Sequence, residues 1–312
     1  MTAAASSLPL SAQELQESVR QGRAVNASRL SRILRTDGKR GLLEVQANAR
    51  WQAVAEHLRP GDELSRKLLS ARATVGASIA CNIAGPDGRP VVGHVESLTM
   101  VTPDGHLRRV DRVANGALFA LTLGGQGLFG VLYSATLRIE SLVRAVCEPQ
   151  PLRSQAPNPG ARAHKLRLYV PPQTFEAFVA DARARCTEWR TAVESVQVRQ
   201  TLQEDETFLR WAHREYAEVT LGLNERCTVG GAVRATQLRR ELITAAIERG
   251  GSFPIACTPE ASRAQTEACY PQLAAFFAEQ RRIDPGGALA NPWLRHYRSL
   301  LSREACEVRW QN

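Results

Sequence analysis

Apolar positions in the first half of the chain switch between helical and strand periods. Leu15 and Val19 share one side of a short amphipathic helix predicted over 11–22. After a turn at Asp37-Gly38, Leu42 to Ala47 read as a strand. Arg50 to Leu58 read as a helix that stops before Pro60-Gly61. From Thr74 to Gly93 the side chains are mostly Gly, Ala and Pro, too small for an ordinary core. The run His94 to Val101 alternates in part and ends at Pro103-Asp104-Gly105. Leu107 to Val110 follow, which predicts a hairpin. Leu118 to Leu123 lead into a glycine cluster, and Val131 to Ile139 alternate as a further strand.

The stretch 148–163 holds four prolines and no apolar periodicity, so it reads as a linker. Beyond it, Lys165 to Val170, Ser195 to Arg199 and Ala217 to Leu223 read as strands. Gln173 to Arg185 and Gln237 to Arg249 read as helices, and Ser262 to Arg281 contains another. At Ser252 to Thr258, after the double glycine, Pro254 would remove one ladder N–H from any strand, leaving it an edge or bulged one. The expected class is α+β, with a boundary region at 143–163.

Composition narrows the function. With 312 residues, 44% hydrophobic and 23% charged, the chain suits a globular protein of one large or two ordinary domains. No apolar run is long enough for a membrane span. The first residues lack a secretory or transit pattern, and Glu14 and Glu17 interrupt them, so a cytoplasmic location is expected. Seven scattered cysteines without a CxxC pair argue against a disulfide framework and against a metal site. The net charge of +9 favours anionic ligands. Its arginines are interleaved with acids, however, and no nucleic-acid-binding motif accompanies them, so no nucleic-acid partner is expected. Arg239-Arg240-Glu241 and His213 with Glu215 read as solvated helix faces.

Two glycine-rich segments carry the chemical signal, Thr74 to Gly85 and Thr122 to Gly130. Glycine permits positive φ and a close backbone approach, and successive exposed amides can cradle a phosphate or a ring carbonyl. Gly125, Gly127 and Gly130 match GxGxxG, but an alternating strand rather than a helix follows them, which excludes a Rossmann fingerprint. The same glycines could equally do no more than shape turns.

In order and context, TVGASIACNIAGPDGRPVVGHVESLTMVTPDG and ALFALTLGGQGLFGVLYSATLRI resemble the FAD-binding domain of the vanillyl alcohol oxidase/PCMH family, near its decaprenylphosphoryl ribose oxidase and sugar-lactone oxidase branches. The resemblance covers about 24–142 and 243–301. It implies a partial PCMH-type FAD-binding domain over 24–142, with 283–312 returning to it. It also implies an α+β substrate or cap domain over 164–282. It further implies FAD as cofactor, held by Thr74, Val75, Gly76, Ala77, Ser78, Cys81, Ala84, Gly85, Gly124, Gly125, Gly127 and Gly130. The implied reaction is hydride abstraction by the flavin from an alcohol or sugar-like C–H of a small-molecule substrate.

The sequence also departs from that family. The glycine- and arginine-rich lobe that cradles the pyrophosphate has no counterpart before Ala24, so the expectation is a truncated domain that binds FAD weakly or not at all by itself. A partner subunit could complete the site. Ala84 stands where the family often has His, Pro254 where the ribose oxidases have Tyr, and Cys257 where they have a substrate-facing Lys. No catalytic residue is assigned on this basis, and the candidates are Cys81, Cys257 and His296. His296 with Tyr297 could face the cleft or cap the final helix, and His94 reads as a strand or turn residue. The alternative function is a flavin-free pseudoenzyme or a binding subunit derived from the same fold.

Overall fold

The computed structural model describes residues 7–58, 73–85, 87–142, 161–226 and 228–302. A five-stranded antiparallel sheet is built from β1 (Ile33–Asp37), β2 (Leu42–Gln46), β3 (Val95–Val101), β4 (Leu107–Asp111) and β5 (Val131–Arg138). Its order is β1-β2-β5-β3-β4, so β5 inserts between the two hairpins. The β3–β4 hairpin forms because Thr102 and Asp104 tie its turn, with Thr102 Oγ1 donating to Asp104 Oδ1 at 2.6 Å and His106 N donating to the same oxygen at 3.1 Å.

Short helices line the first half: α1 (Ala12–Arg20), α2 (Trp51–Leu58), α3 (Val75–Cys81) and α4 (Gly116–Thr122). Ser11 caps α1 by accepting from Glu14 N, and Leu15 packs with Leu30 and Val101 in a small apolar cluster. α3 starts on Thr74, whose hydroxyl accepts from Ala77 N, and ends on Asn82 in the left-handed conformation.

The second half holds a three-stranded antiparallel sheet of β6 (Ala161–Val170), β7 (Ala192–Thr201) and β8 (Tyr216–Arg226) in the order β6-β8-β7. α5 (Phe175–Glu188) and α6 (Val229–Ile247) pack on each other, and α6 packs on β6 and β8. Leu166, Leu168 and Val170 of β6 and Val219, Leu221 and Leu223 of β8 form one buried apolar face, while Tyr169 of β6 and Glu218 and Thr220 of β8 are buried on the opposite face. α7 (Arg263–Cys269), α8 (Leu273–Ile283) and α9 (Pro292–Ser302) complete the chain. The mixed helix and sheet content is that of an α+β fold.

One buried apolar cluster runs through both halves, from Leu43 and Leu98 in the first sheet to Leu221 and Phe276 in the second half, so the two sheets share a core. Polar ties cross between them as well. Trp211 Nε1 donates to the Asn82 carbonyl at 2.8 Å, and Leu202 N donates to the Gly88 carbonyl at 2.8 Å. Phe276 meets Phe129 edge to face, with ring centroids 5.1 Å apart.

Several local expectations are corrected. Residues 75–81 form a helix with Val75, Ser78 and Ile79 buried, because small side chains let it sit close under the sheet. Residues 116–122 are helical as well. α6 begins at Val229, well before the expected Gln237, since Thr228 supplies its N-cap. Ser252 to Thr258 is not a strand. Ser252 makes one bridge to Tyr169, and the chain then turns at 255–257. Arg239 is not solvated, because it is buried against Glu260 at 2.9 Å. Most of the expected linker lies outside the described residues, and β6 already begins at Ala161.

Candidate functional site

The two glycine-rich segments meet, but only some of their residues reach a ligand-sized space. A cleft of about 300 Å³ is lined by Ala47, Asn48, Thr74, Gly76, Ala77, Gly127 and Gly130, among others. Its walls are small because β2 leads directly into the turn at 47–49, and the N-terminal turn of α3 is held against that turn. Gly76 N donates to the Ala47 carbonyl at 2.7 Å and Val75 N to the Ala49 carbonyl at 2.9 Å. Gly127 adopts φ +74°, and a Cβ built on it would meet nothing within 4 Å, so it borders open space.

The expected ring of exposed amides is not what the backbone presents. Ala77 N donates to Thr74 Oγ1, Ser78 N to the Thr74 carbonyl, Gly124 N to the Ile79 carbonyl, Gly125 N to the Thr122 carbonyl and Gln126 N to the Ala80 carbonyl. The Gly124 and Gln126 donors stitch the 122–130 segment to α3, and the others close turns within their own segments. Gly125 itself serves packing, since a Cβ there would overlap the Leu121 carbonyl oxygen and press on Phe129.

The remaining expected residues lie elsewhere. Val75 is in the core, and Ser78 is buried and accepts from Trp51 Nε1 at 2.7 Å. Ala84 is also in the core. Gly124 abuts the Asn82 side chain. His94 is buried, with Nδ1 3.0 Å from Ser141 Oγ and Nε2 3.4 Å from Asp87 Oδ1, next to Gly85. His296 is half-buried against Tyr297, whose hydroxyl donates to the carbonyls of Ile255 and Thr258.

Cys81 and Cys257 belong to a second constellation, one that the sequence did not announce. On the face of the small sheet away from Leu166 and Leu168, Glu218 of β8 sits between Arg167 of β6 and Arg199 of β7. Arg167 Nε lies 3.1 Å from Glu218 Oε1, and Arg199 Nη2 donates to Glu218 Oε2 at 2.8 Å. Glu218 is almost fully buried, while the side chains of Arg167 and Arg199 keep 33% and 23% exposure. Arg199 also donates to the Gly85 carbonyl at 3.3 Å, which joins this face to the segment after α3.

Burial pushes the Cys81 thiol up, the nearby Cys257 adds to this, and Arg167 works the other way. The Cys257 side chain is exposed, yet the protein around it raises its pKa too, again opposed by Arg167. Tyr169 is buried, stacked on Trp211 at 4.2 Å, and burial holds its hydroxyl protonated. The cluster could have been sensed from the alternation of Glu218, Thr220 and Gly222 with Val219, Leu221 and Leu223. A carboxylate on such a strand needs a cation opposite, and only the pairing of distant strands supplies it. Among the described residues no group of His, Cys, Asp and Glu could hold a metal ion, and no helix is long and apolar enough to cross a membrane.

Residues 10–111 match the family model described as an FAD binding domain. That span contains β1 to β4, α3 and the first wall of the cleft. A match of this kind indicates FAD binding and flavin-linked oxidoreductase chemistry in general.

Small-molecule clefts run from ~300 Å³ upward. The small lining of this cleft, and the open side of Gly127, therefore fit one flat portion of an FAD molecule.

Proposed function

We propose that the chain is a flavin-linked oxidoreductase whose substrate is an alcohol or sugar-like small molecule, akin to those of the ribose-oxidase and sugar-lactone-oxidase branches. The observation that carries this reading is the cleft where Thr74, Gly76 and Ala77 face Gly127 and Gly130. Its first wall lies inside the span matching an FAD binding domain. Thr74, Gly76, Ala77, Gly127 and Gly130 would hold the cofactor, with Asn48 as a side-chain hydrogen-bonding group. When bound, the flavin supplies a hydride acceptor, while the protein positions it and excludes water. Titration of the purified chain with FAD, read as an absorption difference spectrum at equilibrium without removing the excess, tests this. A saturable change in the flavin band supports it, and no change at any FAD concentration overturns it.

A second reading is a flavin-free binding subunit of the same fold. It is favoured by the amides of residues 75–78 and 124–126, which are spent on contacts within the protein rather than offered to a cofactor. If neither the chain nor a complex purified with it changes the flavin band, this reading replaces the first.

A further inference from the structure

The charge balance behind the cleft is uneven. Arg167 and Arg199 both pair with Glu218, so two guanidinium groups share one carboxylate. The Nε atoms of both arginines are buried, and neither has an aligned hydrogen-bond acceptor. Against the desolvation that burial brings, Glu218, with a hydrogen bond from Arg167 to the Tyr169 hydroxyl, holds the Arg167 guanidinium firmly charged. Two guanidinium charges therefore stand against one carboxylate, a surplus that a bound anion or a partner group would neutralise. The groups described around Arg167 do not supply one. The thiols of Cys81 and Cys257 and the hydroxyl of Tyr169 are its other titratable neighbours, and the pKa of each is raised, so none offers a negative charge near neutral pH. Asp87, beside Gly85, is already engaged by His94 at 3.4 Å and Arg89 at 3.8 Å.

Position adds to this. Arg167 is flanked by Cys81, at the end of α3, and by exposed Cys257, in the turn after β6's bridging partner Ser252. A third of its side chain is open to solvent. α3 is also the helix whose first turn lines the cleft, so Arg167 lies at the opposite end of that helix from Thr74 and Gly76.

We propose that Arg167, backed by Arg199 and Glu218, forms an oxyanion subsite that holds a carboxylate or phosphate group of the substrate. This deepens the oxidoreductase reading, on which it rests, by naming the substrate class: an alcohol that also carries an anionic group. A guanidinium suits either oxyanion because its fork of donors matches both geometries. Glu218 orients Arg167 and competes with the ligand for it.

The test is titration calorimetry of the full chain without flavin, using inorganic phosphate and glycolate as separate probes at constant ionic strength. Saturable binding of at least one probe is expected, and the probe preferred identifies which oxyanion the subsite takes. Arg167→Gln should weaken that binding about tenfold, the scale of one charge-assisted hydrogen bond. Arg167→Lys should weaken it less. Glu218→Gln should tighten it, an effect that a purely structural ion pair would not produce. Circular dichroism establishes that each variant is folded, and Arg167→Lys carries the test if Arg167→Gln is not. Absence of saturable binding, equal binding by folded Arg167 variants, or weaker binding by Glu218→Gln would each overturn the proposal. Because no flavin is present, a chain that takes FAD but no oxyanion sinks the subsite alone. A chain that takes oxyanions but no FAD sinks the oxidoreductase reading alone.

Discussion

The indole of Trp211 donates to the backbone carbonyl of Asn82 at 2.8 Å, and this bond locks the end of the cleft helix to the second half of the chain. Asn82 needs such support. It is buried, it holds φ +45°, and its side chain donates to Glu204 and accepts from Val92 N. A left-handed residue other than glycine costs ~1–2 kcal/mol, which its surroundings must offset. Trp211→Phe keeps much of the stack on Tyr169 but leaves the carbonyl unpaired, so a loss of ~1–3 kcal/mol is expected. Urea denaturation checks it, and an unchanged midpoint would show that the bond contributes nothing.

Gly125 and Gly127 should respond differently to the same change. Gly125→Ala drives a methyl into the Leu121 carbonyl and Phe129, so a fold loss of ~1–3 kcal/mol is expected with or without flavin. Gly127→Ala meets no atom within 4 Å and costs only its positive φ, about 1 kcal/mol, while it places a methyl beside the cleft. Thermal unfolding and flavin retention, measured on both variants, separate packing from binding. Equal stability in the two would contradict the geometry.

β3 and β5 were legible from alternation, partial in β3, and β2 and β4 read as strands beside turn signals. The turn at Thr102 to His106 carries its own chemistry, whereas β1, with one half-buried residue at each end and an exposed middle, gave no such signal. The hairpin of β3 and β4 follows from local residues alone. α3 was not legible, since Gly76, Ala77 and Ala80 give no apolar stripe; the helix is fixed by contacts from Ala47 and Ala49. Ser252 to Thr258 was expected to be a strand from the family resemblance, but Trp293 and Tyr297 take the Ile255 carbonyl that a ladder would have used. The Arg167–Glu218–Arg199 cluster joins three strands distant in sequence, so no local window contains it. Its residues look like ordinary surface charges until β6, β8 and β7 are paired.

Cys257 is exposed, yet its thiol should react slowly near neutral pH. Its pKa is raised, chiefly by desolvation, and the thiolate is the reactive form. A raised pKa leaves the thiol protonated at pH 7, so the rate of alkylation should climb as pH rises and still be climbing above ~8.5, the ordinary thiol value. Cys81 should follow the same trend from a more sheltered position. Iodoacetamide labelling read by peptide mass spectrometry across pH measures both. A fast reaction that levels off below that value would mean that Arg167 holds a thiolate there.

FAD should bind this chain alone only weakly. A dinucleotide needs several preorganised donors for its pyrophosphate, each charge-assisted bond contributing ~1.5–3 kcal/mol. The cleft offers the side chains of Asn48 and Thr74, and the Thr74 hydroxyl already accepts from Ala77 N. The amides of Val75, Gly76, Ser78, Gly124, Gly125 and Gln126 are likewise committed within the protein. Lacking three or four such donors costs ~5–10 kcal/mol on that scale. That difference moves a nanomolar site to the micromolar or millimolar range. Titration calorimetry of the isolated chain with FAD should therefore show a shallow isotherm, and riboflavin, which has no pyrophosphate, should bind almost as well. A tight stoichiometric complex with FAD and none with riboflavin would mean that pyrophosphate donors exist outside this cleft, and the internal hydrogen bonds of those amides would then no longer count against tight binding.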